Sequence, residues 1–261
     1  AANAKPVKVI ARPDQYVDVR SGLSAQFTIS DLNFETNLMI AKSTSNDEYW
    51  IWADSVRGFI GGLRSNDTNA QGSGLAIANV NSNGYQSDSN WFTNGRTYVT
   101  YSFKAGGSKN TFNVDDVGYA SAAAAGLDGG SLAVTGASVG TKQGFSIIKF
   151  ASGSSGNKTL SHGLLETPTF ILVKTTGASS DWSVYHKDLG GTVNNYLVLN
   201  TTAANATASN IWGAAVPTSS VFGINPGTTC ATSQDVIAYL WHDVPGLQKF
   251  GSYVGNNNDD G

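Results

Sequence analysis

The chain has 261 residues, enough for two domains of ordinary size with a sizeable buried core. Charged residues make up only 13%, about half the usual share of roughly 25%, and the net charge of −3 offers no basic surface for nucleic acid. No run of about 18 apolar residues occurs, so the sequence predicts no membrane insertion. The single cysteine, Cys230, excludes an internal disulfide framework and any multi-cysteine metal site.

The first half predicts β-structure. Alternating apolar and polar residues predict strands at 6–10, 16–20, 25–29, 37–42, 48–53 and 97–104. The strand at 48–53 places Trp50 and Trp52 on one face and Tyr49 and Ile51 on the other. Residues 113–143 are rich in Gly, Ala and Ser with a weak pattern, and we interpret them as a connection over the surface rather than a core element.

The second half has the same character. Strands are predicted at 144–150, 158–160, 169–175, 181–186, 195–200, 220–224 and 235–242. No long stretch of helical period occurs in the chain. The sequence therefore predicts an all-β protein built from β-sandwich or jelly-roll-like units.

An internal repeat organises these strands. Residues 236–250 align without a gap on 98–112, at an offset of 138, so that Tyr101 meets Tyr239 and Phe103 meets Trp241. Three more matches follow in order: 38–42 with 170–174 at 132, 49–52 with 182–185 at 133, and 63–66 with 197–200 at 134. The rising offset is typical of insertions in loops. We therefore predict two related units in tandem, 1–112 and 144–261, joined by 113–143.

Residues typical of catalysis form no recognisable pattern. The three histidines, His162, His186 and His242, lack a second metal ligand at a diagnostic spacing, and no nucleophile elbow or phosphate-binding loop occurs. Acid pairs such as Asp47/Glu48 and Asp181/Asp188 are present, but nothing distinguishes them as the two carboxylates of a glycosidase. The sequence predicts no catalytic, cofactor-binding or metal-binding residue, no cofactor, and no enzyme.

The tryptophans are the stronger signal, because their rings can stack on sugars. Five of them are candidate platforms: Trp50, Trp52, Trp182, Trp212 and Trp241. Trp52 and Trp241 occupy positions that are large in both copies, which favours core packing. Trp91 and Trp212 lie in loop-like sequence, so they are the predicted exposed contacts for a glycan.

Several sequence segments resemble those of a known family. They are Asp54-Ser-Val-Arg-Gly58, the stretch 104–119, Gly144-Phe-Ser-Ile-Ile-Lys149, Ser161-His-Gly-Leu164, and the stretch 241–253. Together they resemble a tandem-repeat, β-rich domain of tailed-bacteriophage structural proteins, notably tail-fibre and appendage proteins of marine and cyanobacterial phages. The resemblance covers most of the chain from about residue 35 onward. It implies a virion protein without catalysis, located on the particle surface.

Two functions from different classes follow, with a third behind them. The first is a non-enzymatic virion component (tail fibre, appendage or surface decoration) for assembly or host attachment, with other virion proteins as partners and a homo-oligomeric state, a trimer in a fibre. The alternative is a lectin-like module that binds host-surface glycans. A polysaccharide-degrading enzyme is the third, and it requires two acids converging in a cleft. Neither nucleic acid nor membrane insertion is expected.

Overall fold

The computed structural model describes residues 9–256, which form nineteen β-strands and two short 3₁₀ helices, Pro13–Gln15 and Ser55–Arg57. The all-β prediction is confirmed. The predicted strand at 6–10 falls mainly outside the described residues, as do the ends of both predicted units, 1–8 and 257–261. Within the described range, no helix is long and apolar enough to cross a membrane.

The first half is a β-sandwich. Its strands are β1 (Val17–Ser24), β2 (Thr28–Ile29), β3 (Leu38–Ser43), β4 (Ile51–Asp54), β5 (Leu63–Arg64), β6 (Ile77–Asn81), β7 (Gly84–Ser87) and β8 (Thr97–Phe103). A five-stranded sheet in the order β1-β8-β3-β4-β5 packs on a three-stranded sheet, β2-β7-β6. Buried and half-buried residues alternate along β8, as the period of a strand requires. The core between the sheets includes Phe27, Tyr85 and Phe92.

The second half is a larger sandwich. Its strands are β9 (Phe112–Val114), β10 (Val117–Tyr119), β11 (Val134–Gly140), β12 (Phe145–Ala151), β13 (Lys158–Ser161), β14 (Phe170–Thr175), β15 (Trp182–His186), β16 (Asn195–Val198), β17 (Ala206–Thr207), β18 (Val221–Ile224) and β19 (Asp235–Trp241). A nine-stranded sheet in the order β10-β9-β11-β12-β19-β14-β15-β16-β17 packs on the pair β13-β18. The core between them includes Phe150, Trp212 and Phe222.

The stretch predicted as a surface connection contributes core structure. Both β10 and β11 lie within residues 113–143, and β11 pairs with β12 in the nine-stranded sheet. Val134, Ala137 and Val139 of β11 are buried. The interpretation of 134–140 as a weakly patterned connection is therefore wrong. A strand that is buried on both faces does not alternate between apolar and polar residues, so the small residues of β11 gave no strand pattern in the sequence.

The internal repeat appears as identical strand order and register. The segment β12-β19-β14-β15-β16 repeats the order β1-β8-β3-β4-β5. Leu38 pairs with Phe103 as Phe170 pairs with Trp241, which reproduces the offsets of 132 and 138.

One offset needs correction. Ile40 of β3 pairs with Trp52 of β4, and Leu172 of β14 pairs with Val184 of β15 in the same way. The offset between β4 and β15 is therefore 132, not 133. Trp50 therefore corresponds to Trp182, and Trp52 to Val184.

The structure extends the repeat to strands that the sequence did not match. Val17 pairs with Phe103 as Phe145 pairs with Trp241, which makes β1 the counterpart of β12. In the small sheets, Ile29 pairs with Tyr85 as Leu160 pairs with Phe222. Each half is thus a copy of one sandwich; β6 is an addition to the first half, and β9, β10, β11 and β17 are additions to the second.

The two sandwiches pack face to face through their large sheets, giving four layers. A third apolar core fills the junction and includes Leu38, Trp52 and Leu63 from the first half and Trp182 and Tyr239 from the second. A shared core of this kind joins the halves into one body. Part of the junction face of the five-stranded sheet stays open, because Trp50 and Tyr101 are only half-buried there.

Candidate functional site

An aromatic cleft lies where the cover over the five-stranded sheet is incomplete. Its volume is about 410 Å³, within the range of small-molecule sites. We call this cavity the aromatic cleft. Eight residues line it: Ile40, Trp50, Trp52, Ser65, Asn66, Tyr101, Phe103 and Leu199. Seven of these residues belong to the first sandwich, and Leu199 follows β16 of the second.

Strand register explains why these side chains meet. Tyr101, Ile40 and Trp52 pair across β8, β3 and β4, so they share one face of the sheet. Trp50 precedes Trp52 by two residues and points to the same face. The rings of Trp50 and Tyr101 lie with centroids 6.3 Å apart and planes inclined by 34°. Both are half-buried, so both rings reach solvent.

Asn66 fixes the edge of the cleft. Its Oδ1 accepts a hydrogen bond of 3.0 Å from the backbone N–H of Trp50. The equivalent Asn200 accepts one of 2.9 Å from the N–H of Trp182, so this contact is part of the repeat. The amide NH₂ of Asn66 makes no hydrogen bond with any described residue and is available to a ligand.

The second sandwich contains the same aromatic pair in a closed form. Trp182 and Tyr239 also have centroids 6.3 Å apart, and both are fully buried. The ring of Trp52 lies 5.4 Å from each of them. In the second copy the pair is therefore covered by a ring from the first copy, whereas Trp50 and Tyr101 are left open.

The aromatic cleft carries no ionisable acid or base among its lining side chains apart from the phenol of Tyr101. Its polar groups are the Ser65 hydroxyl, the Asn66 amide and the Trp52 indole, whose Nε1–H has no partner among the described residues. Such a lining suits an uncharged ligand with apolar faces, because a charged ligand would lose hydration without gaining a counter-ion.

Trp91, one of the two predicted glycan contacts, lies outside the cleft. It is half-buried, and its Nε1 donates to the Ser73 carbonyl at 3.1 Å. The Arg64 guanidinium lies 5.5 Å from its ring centroid and 4.1 Å from that of Tyr49. A Cβ on Gly72 would come within 2.4 Å of the indole, so the ring rests directly on backbone. Only part of Trp91 is free for a contact.

Trp212, the other predicted contact, is in the core. It is fully buried, packs edge-on against Tyr185 at 5.6 Å and donates from Nε1 to the Asn195 carbonyl at 2.9 Å. The prediction that it forms an exposed contact is wrong. The low-complexity stretch around it folds back over the sandwich and supplies the ring as a core residue. Trp52 and Trp241, predicted as core, are buried.

A buried ionic network crosses the junction between the sandwiches. Arg57 Nε donates to Asp54 Oδ2 at 2.6 Å, and the Tyr239 hydroxyl of the second half donates to the same oxygen at 2.7 Å. Two further nitrogens of Arg57 donate to the carbonyls of Gly61 and Trp52. Burial opposes the charge of Arg57, but Asp54 and Tyr239 together outweigh that effect and raise the arginine pKa. Every charge here is compensated, which is typical of a structural network.

The histidines have separate environments. His162 is buried, accepts the Leu164 N–H at Nδ1 and donates from Nε2 to the Thr218 carbonyl at 3.1 Å. Burial lowers its pKa to about 4, so the ring is neutral at pH 7. His186 accepts the Asp188 N–H, and His242 is buried beside Gly144. Across residues 9–256, no three His, Cys, Asp or Glu side chains group closely enough to hold a metal ion.

Neither acid pair named from the sequence has the geometry of a glycosidase. Asp181 and Asp188 flank opposite ends of β15, which at about 3.3 Å per residue separates them by roughly 15–20 Å. Asp47 is fully exposed, while Glu48 forms an ion pair with Arg96 and accepts from the Tyr98 hydroxyl.

The sequence named Trp50 only as one of five candidate platforms, and it named Tyr101 only as a repeat position, not as a candidate contact. Their match to Trp182 and Tyr239 marks both pairs as repeated, but nothing local distinguishes the open pair from the closed one. Only the packing of one sandwich on the other decides that.

The fold and the cleft define a class: an all-β protein made of two fused copies of one sandwich, with an uncharged aromatic cleft at their junction. The chain belongs to the family described as a domain of unknown function, DUF7483, which matches residues 13–261. No curated protein and no solved structure matches the chain.

Proposed function

We propose that the chain is a non-catalytic structural protein of a bacteriophage particle, as a tail-fibre, appendage or surface-decoration component that serves assembly or host attachment. The proposal begins from the phrases that resemble phage structural proteins. It places the protein on the surface of the virion, in contact with other virion proteins and with copies of itself, as a trimer in a fibre.

The observation that carries the proposal is that distinctive residues of those sequence segments make structural contacts that hold the two sandwiches and their turns together. Asp54 and Arg57 join the two sandwiches through Tyr239. Gln248 Nε2 lies 2.8–3.1 Å from the carbonyls of Gln143, Gly144 and His242. Because these residues are engaged in structural hydrogen bonds, they favour a structural protein over an enzyme.

A second group of contacts, centred on Asp243 in the segment 241–253, leads to the same conclusion. Asp243 accepts hydrogen bonds from Lys187, from Lys249 and from the backbone N–H of Phe250. These contacts hold its pKa well below the usual range, although its own partial burial acts in the opposite direction. A carboxylate so fully engaged stabilises a turn and is poorly suited to proton transfer.

Immunogold electron microscopy tests the particle assignment. Antibodies raised against the purified chain are applied to the virus-enriched fraction of the source material, with pre-immune serum as the control. We expect gold on the tails or surfaces of phage particles. Antigen found only in the cellular fraction, and never sedimenting with particles, contradicts the proposal.

Light scattering tests the assembly part separately. A stable trimer or higher oligomer at micromolar concentration is the expected result for a fibre component, because association then adds stability that no disulfide supplies. A monodisperse monomer restricts the protein to a decoration or binding role and contradicts the trimer.

A lectin-like module is the second candidate function. The observation that favours it is the aromatic cleft, in which two half-exposed rings lie beside a free amide and a hydroxyl. Binding of a host-surface glycan is compatible with a place on a virion, so the two candidates are tested independently.

A further inference from the structure

We propose that the aromatic cleft binds one ring of a neutral saccharide, stacked on Trp50 and Tyr101 and hydrogen-bonded to the amide of Asn66. This inference rests on the lectin-like function and names its ligand class and its site. It replaces Trp91 and Trp212 as the residues that contact the glycan.

The closed copy of the aromatic pair shows that such a pair accepts a ring. Trp182 and Tyr239, with the same centroid separation as the open pair, hold the Trp52 ring at 5.4 Å from each. Separations of 4.5–7 Å are those at which rings pack favourably. The open pair has the same spacing, and its exposed faces are matched to a flat apolar surface, such as the C–H face of a pyranose.

The polar groups of the cleft are placed beside that stacking surface. The Asn66 Oδ1 is engaged by the Trp50 N–H, so the amide is held in one orientation and its NH₂ donors stay free. The Ser65 hydroxyl is a second group without a partner among the described residues. Fixed donors around an apolar platform are the arrangement that orients a small ligand.

Charge and size narrow the choice of occupant. The lining contains no carboxylate and no lysine, arginine or histidine, which favours a neutral ligand over a sialylated or sulfated one. Eight residues line a volume of about 410 Å³. A stable interface with a second copy needs about 20–30 residues on each side, so the cleft is suited to a small ring.

The test is binding of the intact chain to a printed array of neutral and acidic oligosaccharides. Trp50→Ala removes one stacking ring, and Leu199→Trp fills the cleft from the other sandwich while removing no contact from the first. Tyr49→Ala is the matched control, because Tyr49 is the neighbour of Trp50 just before β4, is exposed, and does not line the cleft. Thermal unfolding establishes that each variant is folded.

We expect signals on neutral glycans that fall at least tenfold in Trp50→Ala and in Leu199→Trp and that are unchanged in Tyr49→Ala. Asn66→Asp keeps the acceptor for the Trp50 N–H but loses the donors, and a several-fold loss is expected there as well.

The remaining outcomes overturn the inference in distinguishable ways. Glycan binding that survives both cleft variants leaves the lectin-like function standing and disproves this site. A wild-type array without neutral signals disproves both and leaves the virion proposal untouched. A wild-type oligomer that the two cleft variants turn into monomer, measured by light scattering, assigns the cleft to a second copy instead.

Discussion

The two aromatic pairs, Trp50 with Tyr101 and Trp182 with Tyr239, have the same positions in the repeat and the same separation, yet opposite surroundings. The second pair is fully buried beneath Trp52. The first is half-exposed in a cleft. A duplicated sequence therefore reproduces the local arrangement, while the packing of one copy on the other determines which pair is available to a ligand.

A difference in side-chain size accompanies this asymmetry. Trp52 covers the closed pair, and the residue at its equivalent position in the second sandwich is Val184. A valine is too short to cover the open pair in return. Leu199, which is 41% exposed, is the only residue of the second sandwich among those lining the cleft. The comparison predicts that equivalent substitutions in the two copies have unequal effects.

The largest expected difference comes from removing the two equivalent tryptophans. Trp182→Ala leaves a cavity in the junction core and also loses the hydrogen bond from Nε1 to the Arg64 carbonyl, so we expect a loss of about 4–5 kcal/mol in the free energy of unfolding. Trp50→Ala at the half-exposed position is expected to cost about 1 kcal/mol. Urea denaturation measures both, and equal losses contradict the asymmetry.

The next effect comes from the ionic network that holds the closed pair in place. Arg57→Ala leaves the buried Asp54 carboxylate without its cation, and we expect a loss of about 3–4 kcal/mol in the free energy of unfolding. Arg12→Ala, which breaks an exposed pair with Asp14, serves as the control and is expected to change little. A small effect of Arg57→Ala in the same denaturation experiment argues against a role for the network in joining the halves.

Acid is expected to weaken the second sandwich, because the buried His162 lies there. The folded-state pKa of His162, lowered to about 4 by burial, is below its unfolded value near 6.5. Between these values the unfolded state binds more protons, so stability is complete above pH 6.5 and falls as the pH is lowered toward 4. The contribution is about 3 kcal/mol at most.

His162→Asn isolates that contribution, since the asparagine Oδ1 can still accept the Leu164 N–H. The variant's free energy of unfolding should fall less between pH 7 and pH 4.5 than that of the wild type. His186→Asn is the control with a half-exposed ring. Identical pH profiles for wild type and His162→Asn remove this explanation.

Much of the fold could be predicted because alternating strands carry their own signal. β3, β8, β14 and β19 were predicted close to their observed bounds, and their offsets gave the register of both sheets. β11 was missed because its central Gly136-Ala-Ser138, buried with the valines on either side, leaves no alternation to detect. The match of β1 to β12 was missed because pairing, and not residue type, is what the two share.

The candidate site could be predicted only in part, and for a different reason. Tryptophan in low-complexity sequence suggests a loop contact, but Trp212 gains more free energy by filling a core than by facing water. Conversely, Trp50 was not distinguished from the other candidate platforms, and it is left half-exposed because the second sandwich does not extend over it. The exposure of a residue at the junction depends on how the two sandwiches pack on each other, and that packing cannot be inferred from the sequence of either copy alone.

The smallest expected effect sharpens the comparison most finely, because it changes one atom in each copy. Asn66→Asp and Asn200→Asp both keep the oxygen that accepts the tryptophan N–H. Asn200 also donates to the Asp181 carboxylate at 2.8 Å, so its replacement sets two carboxylates against each other. We expect Asn66→Asp to change the free energy of unfolding by no more than about 0.5 kcal/mol at pH 7, and Asn200→Asp to cost about 1 kcal/mol.

That difference has its own internal control in pH. Protonation of the carboxylates removes the repulsion created by Asn200→Asp, so its deficit relative to Asn66→Asp should shrink when unfolding is measured at pH 4 instead of pH 7. A deficit that stays constant with pH assigns the cost to lost hydrogen bonding alone. If the two variants are equal at both pH values, the Asn contact is equivalent in both copies, and the asymmetry of the molecule is confined to the aromatic rings that the contact positions.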